Sequence, residues 1–166
     1  LTDEVDLIMS TFSKSFASLG GFISGDHDVI NFVKHFSRSL IFSASVQPAS
    51  AAAALASLRI MRDEPQWNAR LMEISEKMRN GFRQLGFNIG NTVSPIIPVI
   101  IGDNDMTFKM ARDLFDRGVF VNSVIAPAAP VGSQMLRTSY MATHTDEQLD
   151  KVLEVFEVVG KLNGII

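Results

Sequence analysis

The residues best suited to chemistry form a polar cluster at positions 10–15, directly after an apolar run near the start of the chain. Lys14 stands at the end of this predicted strand, where partial desolvation would favour its neutral, nucleophilic amine. Such an amine can attack a carbonyl and form a Schiff base. The hydroxyls of Thr11 and Ser13 could bind a phosphate oxygen from the same turn. The spacing leaves a second interpretation open, in which Lys14 is a solvated surface lysine and the serines only form the turn.

Other kinds of chemistry have weaker support. A Ser13–Lys14 hydrolase pair is disfavoured, because adjacent residues of an extended chain point to opposite faces and cannot readily share a proton. His27 and His35 are expected to be exposed, and a structural role is favoured for His144. No spacing of His, Asp and Glu is typical of a metal site, so no metal is predicted. The absence of cysteine from the sequence excludes disulfides and thiolate ligands.

Composition indicates the general class of protein. The 166 residues are 46% hydrophobic and 20% charged, with a net charge of −3, which is typical of a globular chain. The sequence contains no block of Lys and Arg that would indicate a nucleic-acid partner. It also contains no apolar run long enough to predict a transmembrane segment. We therefore expect a cytoplasmic protein. Because the chain opens with Leu1 and enters a predicted strand at once, we also expect it to be a piece of a longer protein.

The polar cluster is predicted to lie between two strands. Residues 5–9 form a buried strand, and residues 22–24 form a second one after a Gly-Gly pair. A short helix capped by Asp26 or Asp28 follows, and residues 39–45 are expected to be extended. These elements would position Lys14 at a strand end.

Two helices are predicted in the middle of the chain. The Ala-rich residues 51–61 follow Pro48, have high helix propensity and are expected to pack closely. The next helix has its apolar residues at 3.6-residue spacing and ends at Gly86. Its predicted inward face consists of Leu71, Ile74, Met78, Phe82 and Leu85.

Strands and helices alternate in the last part of the chain. Pro98 places its strand at a sheet edge. Thr145 and Gln148 have the spacing of a helix capping box. The inward face of the helix that ends at Gly118 is predicted to consist of Phe108, Ala111, Leu114 and Phe115. The predicted strands are residues 96–101, 119–121 and 135–140, and the predicted helices are residues 103–118 and the segment that begins at Thr145. This order indicates an α/β chain.

The chain resembles the α-oxoamine synthases, which are fold-type I enzymes dependent on pyridoxal 5′-phosphate (PLP). Residues 11–22, TFSKSFASLGGF, are similar to the lysine signature of that family. Within the family, this sequence is most similar to that of the bacterial serine palmitoyltransferases. The similarity continues, in the family's order, at residues 39–45 (SLIFSAS), 94–98 (SPIIP), 120–122 (FVN), 136–137 (LR) and 141–145 (MATHT). It therefore extends over nearly the whole chain.

The resemblance implies roles for individual residues. Lys14 matches the lysine that binds PLP as a Schiff base and acts as acid and base at the substrate α-carbon. Thr11 and Ser13 match positions that hold the cofactor phosphate. Ser43 and Ala44 match a segment that reaches the cofactor phosphate of the neighbouring subunit, so a homodimer is implied.

Arg137 matches the arginine that binds the amino-acid carboxylate, for which a bidentate guanidinium is suited. Without the resemblance, a surface ion-pair arginine is an equal alternative. In some serine palmitoyltransferases a second arginine precedes it by twelve residues, where this chain has Ile125. The family's glycine-rich phosphate loop, ring-stacking histidine and pyridine-pairing aspartate precede the matched segment.

The resemblance implies a PLP-dependent acyltransferase. An amino acid, here L-serine, would condense with an acyl-CoA, here palmitoyl-CoA, and lose carbon dioxide to give 3-oxosphinganine, a step of sphingolipid biosynthesis. Two related activities stay open, 8-amino-7-oxononanoate synthase and glycine C-acetyltransferase. A non-catalytic dimerisation or interaction fragment is the alternative from another class.

The resemblance also implies a domain organisation. Residues 1–47 would be the end of the PLP-binding large domain, residues 48–84 connecting helices, and residues 85–166 a small domain with a mainly antiparallel sheet. We expect residues 1–47 to be mobile, swapped or paired with another chain. On its own, a chain of this extent is expected to be inactive.

Overall fold

The computed structural model describes residues 4–166, which divide into two compact units. The first unit ends at Pro65, and the second spans Gln66–Ile166. The predicted connecting helices, residues 48–84, therefore fall on both sides of the division. Residues 1–3 of the predicted large-domain segment lie outside the described residues.

A β-hairpin opens the first unit. Strand β1 (Leu7–Thr11) pairs antiparallel with β2 (Gly21–Gly25), and Thr11 lies opposite Gly21. Both strands were predicted within one or two residues. The prediction that the first is buried is wrong for this unit, because Met9 is 74% exposed and each strand pairs only with the other.

Two short helices follow the hairpin. Helix α1 (His27–Phe36) begins after Asp26, whose side chain accepts a hydrogen bond from the backbone N–H of Asp28. Helix α2 (Arg38–Ile41) occupies part of the segment predicted as extended. That prediction is wrong because the Ser37 hydroxyl caps this turn, accepting from the N–H of Leu40.

Helix α3 (Pro48–Asp63) completes the first unit and has proline in its first turn, as predicted. Of its Ala-rich residues only Ala54 is buried, and Leu55, Leu58 and Ile60 are about half exposed. The expectation of close packing is therefore wrong within this unit. The first unit has much exposed apolar surface and hardly any core.

The second unit contains a developed hydrophobic core between three helices and a sheet. Helix α4 (Gln66–Leu85) buries Ile74, Met78 and Phe82, in agreement with the predicted spacing. Helix α6 (Asp146–Leu162) begins with the predicted capping box of Thr145 and Gln148. The rings of Phe82, Phe87 and Phe156 contact each other edge to face, with centroids 4.9–5.9 Å apart.

The sheet of the second unit is antiparallel throughout, as predicted. Strand β5 (Met135–Ser139) lies in the middle, flanked by β3 (Ile96–Ile100) and β4 (Asn122–Val124). One face of the sheet packs into the core through residues that alternate along the strands. These core residues are Ile97, Val99, Leu136 and Thr138. Pro98 lies on edge strand β3, where its missing N–H is tolerated.

Two predictions in this unit are wrong. In helix α5 (Asn104–Phe115), Leu114 is buried as predicted, but Phe108 and Phe115 are more than half exposed, and Thr107 and Met110 are buried instead. Residues 119–121 do not form a strand, because the N–H of Val119 donates to the carbonyl of Leu114 and ends the helix. No helix within residues 4–166 is long and apolar enough to cross a membrane.

Candidate cofactor and substrate sites

Lys14 lies in the nine-residue connection between β1 and β2, within the first unit. The backbone closes this connection tightly: the N–H of Phe12 donates to the carbonyl of Gly20 at 2.8 Å, and the N–H of Ser18 donates to the carbonyl of Phe12 at 2.9 Å. Lys14 opens a turn in which its carbonyl accepts from the N–H of Ala17 at 2.9 Å. The backbone of Lys14 is therefore held within a closed loop.

Two hydroxyls converge beside this lysine. The Thr11 Oγ1 and Ser13 Oγ atoms lie 3.0 Å apart, and Thr11 Oγ1 also accepts from the N–H of Ser13 at 3.2 Å. Thr11 Oγ1 lies 3.2 Å from the carbonyl of Gly20, to which it can donate. The structure therefore brings together the three residues to which the resemblance assigns the cofactor.

Side chains anchor the loop to the rest of the unit. Phe12 contacts Phe16 edge to face, with ring centroids 5.1 Å apart, and lies 5.9 Å from the ring of Phe22. The hydroxyl of Ser18 donates to the carbonyl of Ser50, and that of Ser57 donates to the carbonyl of Phe16. These bonds tie the loop to α3, so the position of Lys14 depends on that helix.

Ser43 and Ala44 lie in the exposed segment between α2 and α3. This segment returns to the lysine loop through Val46. A Cβ atom added to Gly20 would lie 2.7 Å from Val46 Cγ2, and Gly20 has a φ of +101°. The loop and the segment are therefore in direct contact, and only glycine suits that position.

Lys14 itself is exposed in the described unit. The desolvation expected for it at a buried strand end is therefore not provided by the hairpin, whose strands are themselves exposed. Its ammonium makes no ion pair with a carboxylate of residues 4–166. The amine is thus accessible to a carbonyl ligand.

Arg137 belongs to the second unit, in the middle of the central strand β5. Its side chain is exposed on the face of the sheet opposite the core, and none of the described carboxylates lies within ion-pair distance of it. Its cross-strand partners are Pro98 on β3 and Asn122 on β4. The alternative of a surface ion-pair arginine therefore has no partner in the described part of the chain.

A cleft of about 600 Å³ in the second unit is lined in part by Arg137. Asn122 and His144 contribute further polar groups, and Phe120 and Val152 contribute apolar surface. Asn122 was not predicted as a site residue. The predicted strand at residues 119–121 ended just before β4, so the register of Asn122 with Arg137 was missed.

Polar residues at the end of β5 and directly after it form hydrogen bonds within the second unit. The Tyr140 hydroxyl donates to Thr138 Oγ1 at 3.0 Å, and Thr138 Oγ1 donates to the carbonyl of Ile97 at 2.9 Å. Burial raises the pKa of Tyr140 well above its ordinary value, an effect that its hydrogen bond to Thr138 opposes. His144 Nδ1 accepts from the N–H of Met141 at 3.2 Å, which agrees with the structural role favoured for it.

Ion pairs fix the start of α6, next to the cleft. Asp146 Oδ1 accepts from Arg70 at 3.1 Å and from Lys77 at 3.4 Å, and Lys77 Nζ also lies 2.6 Å from Asp150 Oδ1. The hydrogen bond from Arg70, with that from Lys77, lowers the pKa of Asp146. Asp150, with Asp146, raises the pKa of Lys77. The network joins α4 to the first turn of α6.

The family of the chain follows from comparison with known proteins. Residues 1–156 match the model of the aminotransferase class I and II family, and the chain belongs to that family. The predicted α/β fold of a PLP-dependent transferase is confirmed by a solved serine palmitoyltransferase from Sphingomonas wittichii. It is 33% identical, with a TM-score of 0.92, over 99% of this chain and 42% of that one.

Curated relatives confirm the resemblance more closely. A serine palmitoyltransferase of Sphingobacterium spiritivorum is 49% identical over 93% of this chain and 39% of its own length. A putative 8-amino-7-oxononanoate synthase 2 of Mycobacterium tuberculosis is 42% identical over 92% of this chain and 20% of its own length. The chain thus spans about two fifths of the serine palmitoyltransferases that it matches.

Proposed function

We propose that the whole protein carrying this chain is a PLP-dependent α-oxoamine synthase that condenses L-serine with palmitoyl-CoA and releases carbon dioxide. The observation that carries this proposal is the loop in which Lys14 stands beside the paired hydroxyls of Thr11 and Ser13. PLP has an aldehyde, which bonds to an amine, and a phosphate, which accepts hydrogen bonds from hydroxyls. The loop contains both of these protein groups. The identity to serine palmitoyltransferases supports the serine and palmitoyl-CoA assignment.

The residues of the loop fit the cofactor chemically. The exposed Lys14 amine can bond the aldehyde carbon, and Thr11 and Ser13 can each donate a hydrogen bond to a phosphate oxygen. PLP, when bound, supplies the electron sink that stabilises negative charge at the substrate α-carbon. In its free form, the Lys14 amine could accept a proton from the substrate α-carbon and later return it.

Arg137 is proposed to bind the amino-acid carboxylate. Its guanidinium is unpaired among the described residues and can donate two parallel hydrogen bonds to the two oxygens. Ser43 and Ala44 are proposed to contact the cofactor phosphate of a second copy, which makes the protein a homodimer. A cytoplasmic site of action in sphingolipid biosynthesis is part of the same proposal.

Borohydride reduction of the PLP-loaded whole protein tests the cofactor assignment. Within this chain, peptide mapping should find the label on Lys14 and not on the exposed Lys34 of α1. Lys14→Ala should abolish the labelling and the activity, and the matched Lys34→Ala variant should retain both. Label spread over surface lysines would contradict the proposal.

A substrate panel tests the acyltransferase assignment. Serine with palmitoyl-CoA should be preferred over alanine with pimeloyl-CoA and glycine with acetyl-CoA. The alternative of 8-amino-7-oxononanoate synthase is kept because of the 42% identical relative of that name, and preference for the alanine pair would establish it. Absence of turnover with every pair would favour the non-catalytic interaction module, which the exposed apolar surface of the first unit supports.

A further inference from the structure

Asn122 is the polar neighbour of Arg137 across the sheet. The two residues are direct partners in the antiparallel register of β4 and β5. Both residues are exposed, and both contribute to the lining of the cleft in the second unit. On the other side of Arg137, the partner is Pro98, which offers no polar side chain.

The type of pairing follows from Pro98. Proline has no N–H, so the Pro98–Arg137 pair is of the non-hydrogen-bonded kind. The backbone N–H and C=O of Arg137 therefore point toward β4, which makes Asn122–Arg137 a hydrogen-bonded pair. In such pairs the Cα atoms are about 5.5 Å apart. The two side chains leave the same face of the sheet side by side.

The side-chain amide of Asn122 has no hydrogen-bond partner among residues 4–166, and the same is true of the Arg137 guanidinium. The two groups differ in chemistry. Arginine only donates hydrogen bonds, whereas the asparagine amide has both an acceptor oxygen and donor protons. A ligand carboxylate would be satisfied by Arg137, and a neighbouring hydroxyl of the same ligand would need the acceptor that Asn122 provides.

We propose that Asn122 binds the side-chain hydroxyl of the amino-acid substrate whose carboxylate Arg137 binds, and that it selects serine over alanine. This inference rests on the proposed function, because it assumes that Arg137 binds the amino-acid substrate. Within serine, the hydroxyl oxygen and the carboxylate are separated by only two carbon atoms. Adjacent side chains on neighbouring strands match that short separation.

Among the strand residues on this face, Ser139 is the other one near Arg137 whose side chain can form hydrogen bonds. It lies two residues farther along β5, is exposed, and is opposite Ile96. Its position is farther from Arg137 than a direct cross-strand partner. Ser139→Ala is therefore the matched control on the same face. Ser123→Ala, on β4 but on the other face, controls for disturbance of the strand.

The experiment measures amino-acid binding to the PLP-loaded whole protein from the change in cofactor absorption. Asn122→Leu keeps the approximate size of the side chain and removes the amide, and Asn122→Ala serves as a second variant if the first fails to fold. We expect the Kd for serine to rise about fivefold to tenfold, as expected for one lost hydrogen bond. The Kd for alanine and the KM for palmitoyl-CoA should stay within about twofold.

Five outcomes would overturn the inference. Equal weakening of serine binding and alanine binding would show that Asn122 acts on the carboxylate or through Arg137. An unchanged Kd for serine would show that Asn122 does not contact the substrate. Loss of serine selectivity in Ser139→Ala instead would move the assignment to that residue. A wild-type protein that binds PLP but prefers alanine would overturn this inference and the serine assignment, while the cofactor assignment would stand. Failure to bind PLP would overturn the proposed function as well.

Discussion

The hydroxyl oxygens of Thr11 and Ser13 lie 3.0 Å apart, with Thr11 Oγ1 also accepting from the Ser13 backbone. If the Thr11 hydroxyl turns its proton away from the carbonyl of Gly20, the pair can donate two hydrogen bonds to one phosphate group. The exposed hydroxyl of Ser15, in the same loop, makes no hydrogen bond within residues 4–166. The loop therefore contains both a candidate phosphate site and an internal control for it.

Thr11→Val should weaken PLP binding to the whole protein. The substitution keeps the shape of the side chain and removes one donor, so we expect the Kd for PLP to rise about fivefold to tenfold. Absorption titration measures this constant. Ser15→Ala should leave it within about twofold of the wild type, and an equal effect of the two substitutions would contradict the assignment of Thr11.

Gly20→Ala should disturb the contact between the lysine loop and the segment that contains Ser43. Its φ of +101° is unfavourable for alanine, and the new Cβ would collide with Val46. Gly118→Ala is the matched control, because its φ is +85° and no atom lies within 4 Å of the added Cβ. We expect a larger loss of stability at Gly20, together with reduced borohydride labelling of Lys14. Equal losses of stability would show that backbone conformation alone is responsible.

Asp146→Asn should reduce stability in a pH-dependent manner. Because the native pKa of Asp146 is lowered, its contribution is complete above the ordinary value of 3.8 and is lost as the pH falls through the lowered native value. Urea unfolding at several pH values should therefore show a difference between the proteins at neutral pH that disappears in acid. Asp105→Asn removes a first-turn charge of α5 without breaking an ion pair, and it should show a smaller difference. High salt should reduce the effect at Asp146.

Phe156→Ala should strongly destabilise the second unit. The ring is fully buried and contacts both Phe82 and Phe87, so its loss should cost about 3–5 kcal/mol. Phe108→Ala removes a ring that is 53% exposed and should cost less than about 1 kcal/mol. Denaturant unfolding compares the two variants. Similar losses would show that Phe108 is part of the core after all.

The elements of the second unit were largely predictable from the sequence. The apolar spacing of α4, the capping box of α6 and the edge position of Pro98 are local patterns, and each corresponds to the structure. The inward face of α5 was not predictable, because its apolar residues spread over a wide arc of the helix that includes Phe108 and Phe115 as well as the buried Met110 and Leu114. Its orientation depends on packing against the sheet and α6, which local sequence does not contain.

The candidate site was predictable only in part. The lysine loop is a contiguous motif, so Lys14, Thr11 and Ser13 could be found together. Asn122 is fifteen positions before Arg137 and becomes its neighbour only through the register of β4 and β5. That register depended on where the strand begins, and the hydrogen bond of Val119 to Leu114 shifts this start beyond the predicted strand.

The position of Pro98 also affects how the second unit can meet other chains. The backbone N–H groups at positions 96 and 100 of β3 point to the open edge of the sheet, because residues 97 and 99 form the hydrogen bonds with β5. Position 98, where an N–H would also point to this edge, is a proline. The N–H of Ile96 donates to Ser94, that of Ile100 donates to the carbonyl of Asn88, and Pro98 has none. No donor along this border is therefore free, within the described residues, to extend the ladder to a foreign strand. The lack of a free donor on β3 disfavours edge-to-edge pairing with another chain.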